Sequence, residues 1–376
     1  MAILPNCLSA EKCKLKNLNS LIIMAFLKID NVAIRGISAC VPPKVEENKD
    51  LPFYAPGEAE QVITATGIER RHVATSDIAV SDMCFVAAEK LIEDLGWVKD
   101  SIDLLALATQ TADYVNHPTS FVVHDRMGLP EKTMCVDFFH GCPAWVVSLS
   151  SVASLLSSGV IKRALLLDGD TVSKNQIPLD RESKPLFGDA CTATALEYSE
   201  GSPSMLFNIG TKSEDGIAIA STLGGMRNPY TMETFKRRLD LLSGAIPFDA
   251  NAGHMESMDV FSFAITKVPK AIKKLCSEFE IEVENVDKVV LHQANKMIID
   301  AIAKRLKLPS EKVPLSLKNY GNTTSASVPL TIVSSCAEEY KGGMVKSLAC
   351  AFGTGLAWGA VYLVTDRLVI PDVIEY

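Results

Sequence analysis

The order of apolar and amphipathic segments predicts an α/β fold, a mostly parallel sheet covered by helices, with the pattern run twice along the chain. From Phe26 onward, apolar stretches of strand length alternate with longer stretches whose apolar residues recur at helical spacing. Gly67, Gly96 and Gly128 each follow such a helical stretch, where a left-handed residue stops a helix. The chain has 376 residues, 48% hydrophobic and 22% charged, enough for a large core in one big domain or two.

The first residues read differently. Met1 to Ser20 is polar, with Lys12, Lys14 and Lys16, and the apolar run Leu21 to Leu27 is too short to span a membrane. Met24 is a candidate start, so residues 1–24 are expected to be an extension outside the fold. Val32 to Cys40 then reads as a strand ending at Val41-Pro42-Pro43, and Glu60 to Thr66 as a short helix. Ser81 to Leu95 places Met83, Val86, Ala87, Leu91 and Leu95 on one helical face. Leu104 to Thr109 is a buried strand and Thr119 to Met127 a helix.

In Thr133 to Leu149, Met134, Val136 and Phe138 alternate with Cys135 and Asp137, as in a strand. His140-Gly141 turns the chain, and Pro143 suits the first position of a helix that runs on through Ala144 and Trp145. Cys142 thus lies where a strand ends and a helix begins, where the helix dipole is expected to lower its pKa. Arg163 to Leu167 gives another strand, closing in Asp168-Gly169-Asp170, and Ala190 to Tyr198 an edge strand.

In the second half, Asp259 to Phe279 reads as a helix kinked or broken near Pro269, and Lys288 to Leu291 as a strand delivering His292. Asn295 to Leu306 is a helix with Met297, Ile298, Ala301 and Ile302 on its apolar side. Asn322 lies in the turn Gly321 to Thr324, ahead of a helix from Ser325 to Tyr340. Ser347 to Phe352 and Trp358 to Thr365 flank Gly353-Thr354-Gly355 as a strand hairpin. The looser, Gly-, Ser- and charge-rich stretch Gly201 to Gly253 is expected to form a loop over a pocket. Residues 25–200 and 201–376 therefore divide into two similar halves, although no residue repeat is detectable.

A net charge of −8 argues against general attraction to nucleic acid or an anionic membrane. Ten cysteines without a C-x-x-C pair or zinc-ligand spacing argue against a disulfide framework or a metal site. A reducing cytoplasm is the expected setting.

Three side chains at strand ends or turns suggest chemistry: Cys142, His292 and Asn322. Singly, each has a plainer reading, as a small buried hydrophobe, a structural imidazole and a turn residue. Together they suit acyl transfer. A thiolate can accept an acyl group from a thioester, and neutral His Nε2–H and Asn Nδ2–H can hold a carbonyl oxygen that becomes an enolate. A Cys–His hydrolase with the imidazole as base uses the same residue types.

The segments HGCPAW, VLHQANKMIIDAIAKRL, NYGNTTSASVPL and AFGTGLAWGA resemble the β-ketoacyl-acyl-carrier-protein synthase III branch of the thiolase superfamily. So do TGIERRHVA, SSGVIKRALLLDGD and DRESKPLFGDA, and the likeness runs from about residue 30 to 365. It implies a thiolase-like five-layer αβαβα sandwich, usually a homodimer, with no permanently bound cofactor. Acyl-CoA and malonyl-acyl-carrier protein would be substrates and acyl carrier protein a partner. Cys142 would be the acylated nucleophile, His292 and Asn322 would hold the malonyl thioester carbonyl, and Phe352 would line the pocket beside the sulfur. The backbone N–H groups of Cys142 and Thr354 would form the oxyanion hole.

By the same likeness Arg181 would touch the nucleotide of coenzyme A, Asn295 the pantetheine, and His117 would stand where a Phe reaches across the dimer. Gln61 and Ala65 replace a Trp and an Arg that grip adenine, and Pro143 and Trp145 depart from the usual pattern after the Cys. These departures imply a donor other than acetyl. Lys267, Lys270, Lys273, Lys274, Lys296, Lys304, Arg305 and Lys307 form a candidate basic docking surface. Two other activities remain open: acyl transfer to an alcohol or amine, and a papain-like hydrolase, whose Cys, His, Asn order is shared but whose C-G-S-C-W context is absent.

Overall fold

A computed structural model describes residues 25–176, 180–213, 218–221, 224–242 and 254–376. The segment 1–24, and part of the stretch expected to loop over a pocket, lie outside these residues.

Two sheets and three layers of helix make the five-layer sandwich. The first sheet runs from edge to edge as Ile374–Glu375, Val32–Val41, Ala190–Tyr198, Arg163–Asp170, Leu104–Thr109 and Met134–Phe139. The second runs Ala25–Ile29, Met205–Thr211, Ala357–Asp366, Met344–Gly353 and Lys288–Leu291. Between them lie the helices Ala144–Ser157 and Ser327–Ser335, which are apolar nearly all round because both faces meet a sheet. A buried serine suits that position: Ser148 returns its hydroxyl to the carbonyl of Ala144, four residues back, at 2.7 Å. Outside, Val80–Leu95 and Thr119–Met127 cover the first sheet, and Ser257–Glu278 and Lys296–Leu306 the second. These four keep one wet face.

The sheets are mixed rather than mostly parallel. Only pairs joined through a crossover helix, such as Leu104–Thr109 with Met134–Phe139 and with Arg163–Asp170, run parallel in the body of the first sheet. Hairpin-like neighbours such as Met344–Gly353 and Ala357–Asp366 run antiparallel. Ala190–Tyr198 is an interior strand, antiparallel to neighbours on both sides, and not an edge. Its run of small and β-branched residues fits a strand buried on both faces. The edge is Met134–Phe139. Within the stretch read as a loop, Met205–Thr211 is a sheet strand, its short apolar pattern masked by flanking Gly and Ser.

Helix details also differ. Ser257–Glu278 continues through Pro269, and Cys336 breaks the last long stretch into Ser327–Ser335 and Ala337–Gly342. Met297 lies exposed, while Ile298, Ile299 and Ile302 are buried. The chain passes from the first sheet to the second between Tyr198 and Met205, and the two sheets exchange a strand at each end of the described chain. Ala25–Ile29 pairs with Met205–Thr211 in the second, and Ile374–Glu375 pairs with Val32–Val41 in the first. No helix among the described residues is long and apolar enough to cross a membrane.

Candidate active site

Cys142 follows the strand Met134–Phe139 and precedes the helix Ala144–Ser157, for which Pro143 is the capping residue rather than the first helical one. It is 8% exposed. Burial pushes its thiol up to about 11, and the carboxylate of Asp170 adds to the rise. The Thr354 and Cys142 backbone N–H groups and the Thr354 hydroxyl oppose it by donating to the sulfur. The expected lowering of the pKa is therefore reversed. A helix N-terminus is worth about 0.3–2 kcal/mol to an anion, too little against the loss of water around a buried sulfur.

The turn at the start of Ala357–Asp366 closes over this sulfur. A side-chain carbon on Gly353 would sit 2.7 Å from both Cβ and Sγ of Cys142, at a backbone φ of +157°. Only glycine fits. A carbon on Gly141 would lie 2.9 Å from Thr354 Oγ1 and 2.9 Å from Gln110 Oε1, which places the Gln110 amide at the Cys142 turn.

His292 leaves the strand Lys288–Leu291 with its N–H on the Cys350 carbonyl at 2.8 Å. The register Leu291 opposite Cys350 brings its ring edge-on to Phe352, with centroids 5.3 Å apart. Its Nδ1 meets the Ser327 hydroxyl at 2.6 Å. Burial drives the imidazole down to about 3, so it is neutral at physiological pH.

Asn322 is buried in the turn before the Ser327–Ser335 helix, and its Oδ1 accepts the Thr324 N–H at 3.0 Å. That bond fixes the amide orientation and leaves Nδ2–H for another partner. The backbone of Asn322 donates to Leu186 O at 2.8 Å and accepts from Gly188 N at 3.1 Å.

Asp170, at the end of Arg163–Asp170, joins the two sides. Its Oδ1 accepts from Thr109 Oγ1 at 3.1 Å, Gln110 N at 2.9 Å and Thr111 Oγ1 at 3.2 Å. Its Oδ2 accepts from Ser325 Oγ at 2.7 Å and from the Thr324 hydroxyl. Thr354 thus meets the Cys142 sulfur, Phe352 and Ser327 hold His292, and Thr324 ties Asn322 to Asp170. Among the described residues no hydrogen bond joins the Cys142 sulfur to His292.

The other candidates lie in separate contacts. Arg181 donates to Phe53 O at 2.6 Å and pairs with Glu58, its guanidinium 5.7 Å from the Phe53 and Tyr54 rings. Asn295 caps the Lys296–Leu306 helix, its Oδ1 accepting from Ile298 N at 2.9 Å. His117 packs in an exposed cluster, 6.2 Å from Tyr114 and 5.8 Å from Phe121 between ring centroids. Phe352 is buried against His292 in the core. Asp170, Ser327, Gln110 and Gly353 escaped the reading of the sequence. Asp170, Gln110 and Gly353 stand at or just past strand ends, the signal that marked Cys142, and Ser327 opens a helix.

Residues 136–213 match the family model of 3-oxoacyl-[acyl-carrier-protein (ACP)] synthase III, and residues 276–365 the model of its C-terminal part. The β-ketoacyl-[acyl-carrier-protein] synthase III of Fusobacterium nucleatum is 32% identical over 340 residues, 89% of this chain and 99% of that protein. Its counterpart from Symbiobacterium thermophilum is 31% identical over 342 residues, 90% and 99% of the two chains. The crystal structure of a 3-oxoacyl-(acyl-carrier protein) synthase from Burkholderia xenovorans LB400 matches with a TM-score of 0.87 at 31% identity, covering 94% of this chain and 99% of that one. That of the synthase III from Pseudomonas aeruginosa PAO1 matches at 0.77 and 26% identity, over 90% and 99%.

Proposed function

Because the chain belongs to the β-ketoacyl-[acyl-carrier-protein] synthase III family, we propose that it joins an acyl thioester to a malonyl thioester with loss of CO2. In the first half-reaction the Cys142 sulfur attacks the acyl carbonyl, the donor thiol leaves with a proton, and the acyl group becomes a thioester on Cys142. The N–H groups of Cys142 and Thr354 take the tetrahedral oxyanion. In the second, the malonyl carboxylate leaves as CO2, and the enolate oxygen rests on His292 Nε2–H and Asn322 Nδ2–H. The enolate carbon then attacks the acyl carbonyl and expels the Cys142 thiolate, giving a 3-oxoacyl thioester.

One observation carries this reading. His292 Nδ1 and Asn322 Oδ1 are each tied back to the segment 324–327, so both residues keep a nitrogen for a ligand oxygen. The Ser327 hydroxyl can donate to Nδ1, the arrangement that puts the ring proton on Nε2. A neutral imidazole held as a donor, and not bonded to the sulfur, argues against the Cys–His hydrolase. Intact-protein mass after incubation with a panel of acyl-CoAs is the direct test. The result expected is an adduct of acyl mass, absent from Cys142→Ala, followed by CO2 release from malonyl-acyl-carrier protein. An adduct without CO2 release would favour transfer to an alcohol or amine. The same panel decides the donor, for which Gln61, Ala65 and His117 support a chain other than acetyl.

Partners follow from the surface. Lys270, Lys273, Lys274 and Arg305 line one groove between the two outer helices of the second sheet, which suits an acidic carrier protein. Charge reversal at Lys304 and Arg305 is expected to slow carrier-dependent turnover and leave acylation from acyl-CoA unchanged. The free edge of Met134–Phe139, with Phe139 85% exposed and Tyr114, Val115 and Phe121 beside it in sequence or sheet order, supports a second copy of this chain as the homodimer partner. The cysteines among the described residues are free, in keeping with a reducing cytoplasm.

A further inference from the structure

We propose that Arg71 is a positioning residue for Asn322, a role that rests on the functional reading above. The Arg71 side chain is fully buried and sits in the two-stranded ladder Val45–Glu47 with Arg70–His72. Its fork is filled by three different partners. Nε donates to Asn48 Oδ1 at 2.8 Å, one terminal nitrogen to Phe187 O at 3.3 Å, and the other to Glu46 at 3.3 Å. Asn48 in turn donates to Pro185 O at 2.8 Å, and Lys184 pairs with the same Glu46 oxygen at 2.8 Å.

Three of these contacts end on the segment Lys184 to Gly188, at Lys184, Pro185 and Phe187, and the other two tie Arg71 to the Asn48 and Glu46 side chains that make them. That segment clasps the Asn322 backbone from both sides, through Leu186 O and Gly188 N, in parallel register with Phe187 opposite Asn322. Arg71 also touches the turn directly. A side-chain carbon on Gly321, whose φ is +65°, would fall 2.9 Å from Arg71 Cγ and 2.7 Å from Leu186 O. A buried charge is retained at this depth only with its donors satisfied, and here those donors hold the strip of chain that sets where the Asn322 amide points.

Asp170 grips the same turn from the opposite side, but its carboxylate also acts on the Cys142 sulfur, so a change there disturbs both half-reactions. The Arg71 hydrogen bonds go to Asn48, Phe187 and Glu46, on the Asn322 side, and not to Cys142 or Thr354. Its loss is therefore felt in one half-reaction only.

The test compares wild type with Arg71→Lys, Arg71→Met and Lys184→Met. Lysine keeps the charge but cannot make three fixed bonds. Cys142 acylation by acyl-CoA, followed by intact mass, is expected to stay within about twofold of wild type. CO2 release from malonyl-acyl-carrier protein is expected to fall about 10- to 100-fold in Arg71→Met, in kcat rather than KM, because the Asn322 bond strengthens in the transition state. Arg71→Lys recovers part of the loss, and Lys184→Met, partly exposed, shows the same split more weakly. Equal loss in both half-reactions, or none, overturns the proposal. If the Arg71 variants do not fold, the split or its absence in Lys184→Met decides. A wild type that forms no acyl adduct overturns the functional reading and this inference with it.

Discussion

Cys142 shows what a single residue owes to its surroundings. At a thiol pKa of about 11, thiolate at pH 7 costs roughly 5 kcal/mol. Bonds from Thr354 and from the residue's own N–H keep this cost from being higher still, since a hydrogen bond to a charged group is worth about 1.5–3 kcal/mol. The sign follows directly: a raised pKa means the reactive form grows with pH throughout the neutral range. Acylation of Cys142 is expected to quicken roughly tenfold per pH unit between pH 7 and 9, measured as the rate of adduct formation. A rate flat above pH 7 would mean a thiol that is already ionised. His292, held to about 3, adds no titration step between pH 5 and 9. Gly353 is a tight point of the site, and Gly353→Ala is expected to slow acylation at least about 100-fold and to lower the Tm, since the added carbon meets buried Cys142. The strand ends and glycine turns that carry Cys142, His292 and Asn322 were legible because they leave local signatures. The thiol's pKa was not, because desolvation comes from residues packed in from elsewhere in the chain.

Among the elements, the strand Met134–Phe139 is the most exposed to a second role. It pairs on one side only and its apolar residues are only partly buried, yet it ends three residues before the nucleophile. In the proposed homodimer a second copy covers that edge, close in the chain to the Cys142 turn. Phe139→Asp is expected to convert a dimer to a monomer in sedimentation and to lower acylation with it. A variant that remains dimeric would move the interface elsewhere. The alternation of this strand was legible, but its place at the edge was not: an edge strand and an interior one can share a pattern, and Ala190–Tyr198 was misplaced for that reason. Pro269 likewise suggested a break because the sequence shows the lost N–H, while the packing that keeps Ser257–Glu278 whole is tertiary.

At the scale of the molecule, the two sheets share one central core. Trp145, Leu149 and Val152 from one middle helix and Val328, Leu330 and Ile332 from the other pack in the same cluster. The C-terminal tail then crosses back to the first sheet. Ile37 N bonds Val369 O and Val369 N bonds Arg35 O, each at 3.0 Å, and Leu368 and Ile370 are buried. A single unfolding transition is therefore expected by calorimetry, and removal of residues 368–376 is expected to lower its Tm by at least about 5 °C. Two separate transitions would mean that the halves fold independently.

The sequence by itself determined the α/β alternation and offered the three side chains proposed for the site, because each is written in a short window of residues. Tertiary structure alone decided strand direction, the free edge, the electrostatics of the thiol and the clasp around Asn322. Those depend on partners far apart in the chain, as when Asp170 meets Thr324 across 154 positions. No local pattern carries such a pairing; burial and register, set by the fold as a whole, do.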